Sequence, residues 1–298
     1  MPGTLAIAAV QAAPRAIGAD LGPFVEDVAR RAAGGARLVA YPELHLFGST
    51  LYPVEERNDV LRAAAVGLDG PMVAELAAVA AEVGVWLVPG TVCERGPAGE
   101  LFNTALVLSP DGNLAAAYRK IFPWRPTEPY DPGDRFVVAD VDGVRVGVDI
   151  CYDAWFPEVT RHLAWMGAEV VLNLVETTTP DREHELVLAR ANAIVNQVFM
   201  VSVNCAGPVG RGRSIVVDPE GGVLAESPDD GATSLDLALD LDQVGRTRER
   251  GTAGVNRVWD QFHPGDAPVR LPLYDGRIDP ATWSPSACRI PPTREGQP

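Results

Sequence analysis

Cys151 closes the strand-forming run Val144-Arg-Val-Gly-Val-Asp-Ile150, and Tyr-Asp-Ala-Trp-Phe-Pro-Glu158 follows at once, with a proline suited to the first turn of a helix. The thiol therefore stands at a strand-to-helix elbow, where helix-terminal N–H groups favour thiolate over thiol and turn a cysteine into a nucleophile. A buried cysteine acting as a small hydrophobe is the alternative reading. Two more chemically able side chains end apolar runs: Glu43 after Ala36-Arg-Leu-Val-Ala-Tyr-Pro42, and Lys120 after Leu114-Ala-Ala-Ala-Tyr-Arg119. Glu128 lies in the stiff, proline-rich stretch Ile121-Phe-Pro-Trp-Arg-Pro-Thr-Glu-Pro-Tyr-Asp-Pro-Gly133. Taken singly, a strand-terminal glutamate reads as solvated and a lone lysine as a surface group. His45 offers a different partner for the thiol, a papain-like Cys-His pair, but nothing in the sequence orients it.

These residues do chemistry only if the elements carrying them converge. The two halves of the chain repeat one pattern: Leu5–Val10 answers to Val144–Ile150, Arg37–Tyr41 to Glu169–Asn173, and Val85–Gly90 to Val198–Val203. Leu106-Val-Leu-Ser-Pro-Asp-Gly-Asn-Leu114 and Ile215-Val-Val-Asp-Pro-Glu-Gly-Gly-Val223 both read as strand, turn and strand. Helix-period segments lie between the first three strands of each half, as at Met72, Leu76, Val79 and Val83 after Gly70-Pro71. Strand, helix, strand order predicts parallel pairing. Nearly continuous apolar strands and two equivalent halves predict an α/β fold, a four-layer α-β-β-α sandwich with an internal pseudo-two-fold repeat; a single doubly wound sheet is the alternative. Ligands collect outside the carboxyl ends of parallel strands, where Glu43 and Cys151 sit in separate halves, and Lys120 reaches that rim from a hairpin. The domain is expected to span residues 1–260. From 261 to 298 the chain has eight prolines and little periodicity, and reads as a tail over the body or over a partner subunit, with a disordered extension as the alternative.

The carboxylate after a strand, the Tyr-Arg-Lys120 with its acidic loop and Pro-Gly133, and the Cys151 elbow ending in Phe-Pro-Glu158 together resemble the nitrilase, or carbon-nitrogen hydrolase, superfamily over about Leu5 to Arg250. That family has the same sandwich fold and commonly forms dimers and larger assemblies, so the resemblance implies a homodimer or larger homo-oligomer. It also implies Cys151 as nucleophile, Glu43 as base and then acid, Lys120 with the backbone N–H of Tyr152 as oxyanion donors, and Glu128 as a second glutamate holding Lys120 or the substrate nitrogen. Burial is expected to raise the Glu43 pKa, and Lys120 to favour the thiolate.

Tyr152-Asp153 is similar to amidase-like branches, since nitrilases of the family usually carry Trp-Glu there. Trp155 replaces the arginine of branches that accept monoamides of dicarboxylic acids, so a carboxylate clamp is missing. Asp153-Ala-Trp-Phe-Pro-Glu158 is similar to N-carbamoylputrescine amidases, whereas Arg119-Lys-Ile-Phe-Pro-Trp124 is similar to formamidases and aliphatic amidases. Trp124 and Trp155 are candidate walls of an apolar or cationic pocket, and Glu176 is a candidate acceptor of an amine; core packing and a loop charge are the plainer readings. The expected activity is hydrolysis of a linear carboxamide or N-carbamoyl C–N bond through a cysteine thioester, without a cofactor. The alternatives are a nitrilase and a non-catalytic, partner-binding member of the fold.

Composition is ordinary for a soluble globular protein able to bury a substantial core: 298 residues, 47% hydrophobic and 22% charged. The net charge of −15 argues against nucleic acid and anionic membranes as partners. Cys93, Cys151, Cys205 and Cys288 have no CxxC spacing, and His45, His162, His184 and His263 no HxH or HExxH pattern, so neither zinc nor a disulfide framework is expected. No apolar stretch approaches the length of a membrane span and no signal core opens the chain, which predicts a cytoplasmic protein.

Overall fold

A computed structural model describes residues 3–278; Met1, Pro2 and residues 279–298, including Cys288 and the end of the proline-rich segment, lie outside the described residues. The first half supplies strands β1 (Thr4–Gln11), β2 (Leu38–Ala40), β3 (Trp86–Val88), β4 (Thr91–Arg95), β5 (Leu101–Leu108) and β6 (Leu114–Arg119), with helices α1 (Gly22–Ala33), α2 (Arg57–Ala64) and α3 (Pro71–Val83). The second supplies β7 (Val138–Val141), β8 (Val144–Ile150), β9 (Val170–Val175), β10 (Phe199–Asn204), β11 (Ile215–Val217) and β12 (Val223–Glu226), with α4 (Pro157–Trp165) and α5 (Arg182–Asn196). Strand β13 (Thr233–Asp240) and helix α6 (Asp242–Arg250) follow.

The repeat is visible strand for strand. β1, β2 and β3 pair in parallel, as do β8, β9 and β10. An antiparallel hairpin extends each triplet, β5–β6 beyond β3 and β11–β12 beyond β10. One antiparallel strand flanks the other side, β13 on β1 and β7 on β8. β4, paired with β5, has no counterpart in the second half.

Period-2 side-chain alternation, with both faces apolar, explains the layering. In β9, Val170, Leu172 and Leu174 join Ile7, Ala9, Leu38 and Ala40 of the other sheet in one buried cluster. Val171, pointing the other way, packs with Val159 and Leu163 of α4 and Leu186 and Ala193 of α5. On the first sheet Ala8, Val10, Val39 and Tyr41 meet Phe24 and Val28 of α1 and Val73 and Leu76 of α3. A core between two sheets plus a helix-facing core on each outer side makes a four-layer α-β-β-α sandwich. A single doubly wound sheet would have no inter-sheet core.

The described part of the proline-rich segment forms a short hairpin of Val269–Leu271 with Gly276–Ile278, and the Tyr274 hydroxyl donates a hydrogen bond to Glu158 of α4. Among the described residues, no helix is long and apolar enough to cross a membrane.

Candidate active site

Glu43 follows β2 through Tyr41-Pro42 and is 2% exposed. Its turn is tightly built: a Cβ on Gly90, just past β3, would lie 2.1 Å from the Pro42 carbonyl oxygen, so only glycine fits there. The next residue, Leu44, has φ 51°, and its N–H donates to Thr91 Oγ1 at 2.9 Å. Lys120 leaves β6 with 0% exposure. The Gly133 N–H donates to the Lys120 carbonyl at 2.8 Å, and a Cβ on that glycine would come within 2.2 Å of the Arg119 oxygen. Cys151 has φ 49°, a left-handed conformation that costs a non-glycine residue energy and is held by its surroundings. A 3₁₀ turn, Cys151–Trp155, separates the thiol from α4, which starts at Pro157. The elbow is therefore sharper than a direct strand-to-helix junction.

A fully buried lysine needs partners, and Lys120 has two. Its Nζ donates to Glu43 Oε1 at 3.0 Å and to Glu128 Oε1 at 2.7 Å, which leaves one of three N–H groups for another acceptor. Glu128 is fixed in turn by the Trp124 N–H, 3.0 Å from Oε2. Glu43 is clamped at both oxygens: Asn103 Nδ2 donates to Oε1 at 2.7 Å, and the Glu176 backbone N–H donates to Oε2 at 2.9 Å. Thr50 Oγ1 donates to the Glu176 carboxylate at 2.8 Å.

Asp153, fully buried, ties the cysteine elbow to the lysine strand. Its Oδ2 accepts from the Ile150 N–H at 3.1 Å and the Tyr118 hydroxyl at 2.7 Å, and its Oδ1 from the Phe122 N–H at 2.8 Å. One carboxylate thus joins the end of β8 to residues on both sides of Lys120.

The charges are mutually dependent. Burial alone would lower the Lys120 pKa, but Glu43, Cys151 and Glu128 outweigh it and hold the ammonium well above the ordinary lysine value. Burial, then Glu43, pushes the Cys151 thiol well up, and Lys120 opposes this only in part. Lys120 therefore acts in the expected direction, toward the thiolate, but burial and Glu43 outweigh it, so the balance keeps the proton on the sulfur. Burial raises Glu128 as well, against the pull of Lys120. Glu176 is raised to about 8 by burial and by Glu43, and Asp153 to about 6 by burial.

Glu43, Lys120, Glu128, Cys151 and Glu176 form one electrostatic cluster, since each acts on the charge of others in it. Tyr152 and Trp155 lie beside the cysteine with ring centroids 6.2 Å apart, and Trp155 meets His184 edge-on at 6.0 Å. Trp124, on the Glu128 loop, is 46% exposed. His45 does not join them: it stacks on Tyr41 at 4.8 Å in the helix-facing core, whereas Cys151 packs against the inter-sheet core. Asn173 and Asn103 both bind carboxylates, Asn173 donating to Asp149 and Asn103 to Glu43. Asn204 caps backbone instead, accepting from the N–H groups of Thr177 and Cys205. Asn103 and Asp153 are the site residues that sequence reasoning missed; the signal for Asn103 was an amide inside the buried run Leu101–Leu108. Among the described residues, no group of three His, Cys, Asp or Glu side chains could hold a metal ion.

A thiol, carboxylates and a buried ammonium gathered at the carboxyl ends of parallel strands in a four-layer sandwich define a hydrolase of carbonyl C–N bonds. The chain belongs to the carbon-nitrogen hydrolase family, whose model matches residues 6–249. It is 29% identical over 248 residues to a formamidase of Bradyrhizobium sp. (strain ORS 278), covering 81% of this chain and 71% of that protein. It is 32% identical over 235 residues to omega-amidase NIT2-A of Xenopus laevis, covering 72% and 81%. Among solved structures, Saccharomyces cerevisiae Nit3, a member of branch 10 of the nitrilase superfamily, superposes with a TM-score of 0.72 at 26% identity, covering 83% of this chain and 94% of that one. The amidase from Nesterenkonia sp. AN1 superposes with a TM-score of 0.69 at 26% identity over 83% and 95%; that structure is a mutant with the acetamide moiety of fluoroacetamide covalently added at the active-site cysteine. The protein is an amidase-type C–N hydrolase.

Proposed function

We propose that the enzyme hydrolyses a linear carboxamide, or an N-carbamoyl group presenting the same C–N bond, through a thioester on Cys151. The observation that carries this reading is Lys120, wholly buried between Glu43 and Glu128 and coupled in charge to Cys151. Because the thiol rests protonated, attack and deprotonation are coupled: Sγ bonds to the carbonyl carbon as its proton passes to Glu43. Oε1 of that carboxylate already accepts two hydrogen bonds, from Asn103 and Lys120, whereas Oε2 accepts one, from the Glu176 N–H, and keeps a lone pair for the proton. The remaining N–H of Lys120 and the backbone N–H of Tyr152 stabilise the tetrahedral oxyanion. Glu43 then protonates the amide nitrogen, the C–N bond breaks, and ammonia or an amine leaves. A water gives its proton to Glu43 and adds its oxygen to the thioester carbon. The C–S bond breaks, the proton returns to sulfur, and the carboxylic acid departs.

Short amides of the kind seen bound in the Nesterenkonia amidase are the first substrates to try. With formamide, acetamide, butyramide, a carbamoyl amine and the matching nitriles, the native enzyme is expected to release ammonia from amides, and Cys151→Ala to release none while keeping its circular dichroism spectrum. Turnover by Cys151→Ala would overturn the mechanism. Ammonia from the nitriles alone would make the enzyme a nitrilase.

A further inference from the structure

Glu176 stands out at this site by lacking a counter-charge. Lys120 divides its bonds between Glu43 and Glu128, and Arg182 pairs with Glu185. The nearby guanidinium groups are turned to backbone carbonyls, Arg57 to those of Thr50 and Tyr52 and Arg211 to that of Thr178. Among the described residues, no lysine or arginine is ion-paired with Glu176, and its one side-chain bond is from the Thr50 hydroxyl. Its backbone N–H holds Glu43 Oε2, and its carboxyl group feels the charges of Glu43, Glu128 and Lys120, which puts it in the same cluster. Three carboxyl groups, Glu43, Glu128 and Glu176, thus share a single ammonium.

A half-buried carboxylate without a cationic partner is costly to ionise, and desolvation together with Glu43 raises its pKa to about 8. A ligand bearing a positive charge would supply the missing partner and return the group to its anionic form. A ligand bearing a carboxylate would add one more like charge to a cluster already short of cations. We infer that Glu176 is a specificity-determining residue, selecting linear amides that end in a primary amine over neutral and anionic amides of the same length. The inference rests on the hydrolase reading above and deepens it to a substrate class.

The test is kcat/KM near neutral pH for three length-matched amides, 4-aminobutanamide, pentanamide and succinamate, with the native enzyme, Glu176→Gln and Glu176→Asp. The ratio of the amino amide to pentanamide is expected to exceed about tenfold in the native enzyme, the effect of one partly desolvated ion pair. It should fall to near unity in Glu176→Gln and stay above unity in Glu176→Asp, with succinamate the poorest native substrate. Because the readout is a ratio, a general loss of activity does not disturb it. A native ratio at or below one, or a ratio that Glu176→Gln leaves unchanged, overturns the inference while leaving the hydrolase intact. Absence of ammonia from all three amides, and from the short amides above, would instead sink the hydrolase reading and this inference with it.

Discussion

Burial and the Glu43 carboxylate hold Cys151 protonated well above the ordinary thiol value of 9.0. An acid whose pKa is raised keeps its proton through neutrality, so alkylation of Cys151 by iodoacetamide should go on climbing as the pH passes 9, without a plateau at lower pH. A plateau near neutrality would mean a preformed thiolate. Replacing Lys120 by Met leaves the buried Glu43 and the partly buried Glu128 carboxylates with no cation between them. That change is expected to abolish ammonia release and to cost roughly 3–5 kcal/mol in urea unfolding, the usual penalty for breaking a buried ion pair. At this scale the sequence was informative wherever a charge ended an apolar run, because a core tolerates such a residue only for a reason. It was silent where the reason is a distant partner. Asn103 meets Glu43 across 60 residues of sequence and Asp153 meets Tyr118 across 35, and no local pattern encodes either pairing.

Between elements, the Asp153 bonds to Ile150, Tyr118 and Phe122 set where the cysteine elbow stands relative to the lysine strand. Asp153→Asn keeps the shape but turns an acceptor into a donor facing N–H and O–H groups, so Lys120 and Cys151 should drift out of register. Misplacement on the ångström scale typically costs about 10²-fold, and we expect a loss of that order in kcat with KM changed much less. Tyr118→Phe removes one of the three donors and should cost less; steady-state kinetics of both variants checks the order. Pro157 at the head of α4 was legible from Phe-Pro-Glu158, since proline suits a helix start. The 3₁₀ turn ahead of it was not, because it depends on Asp153 capturing the Ile150 N–H.

Across the whole molecule, each half of the repeat contributes what the other lacks, Glu43 and Lys120 from one and Cys151 from the other. The parallel triplets and their hairpins were legible because similar apolar runs recur in the same order. The flanking strands β7 and β13 were not, because an edge strand is defined by its partner: β13 alternates buried and exposed positions and pairs with β1, Thr4 opposite Asp240. The inter-sheet core is what joins the halves, and Leu172, 1% exposed, lies within it. Leu172→Ala is expected to cost about 2–5 kcal/mol by urea denaturation, as for other large-to-small changes in packed cores. The central claim is that the two halves meet to make an acyl-enzyme, and rapid acid quenching with a turning-over short amide, followed by peptide mass spectrometry, tests it most directly. The account predicts that the peptide containing Cys151 gains the mass of the acyl group, and that Glu43→Gln, unable to activate water, accumulates more of any adduct it forms. Turnover with an unmodified Cys151 peptide in both proteins, or an acyl group carried on another residue, would contradict it.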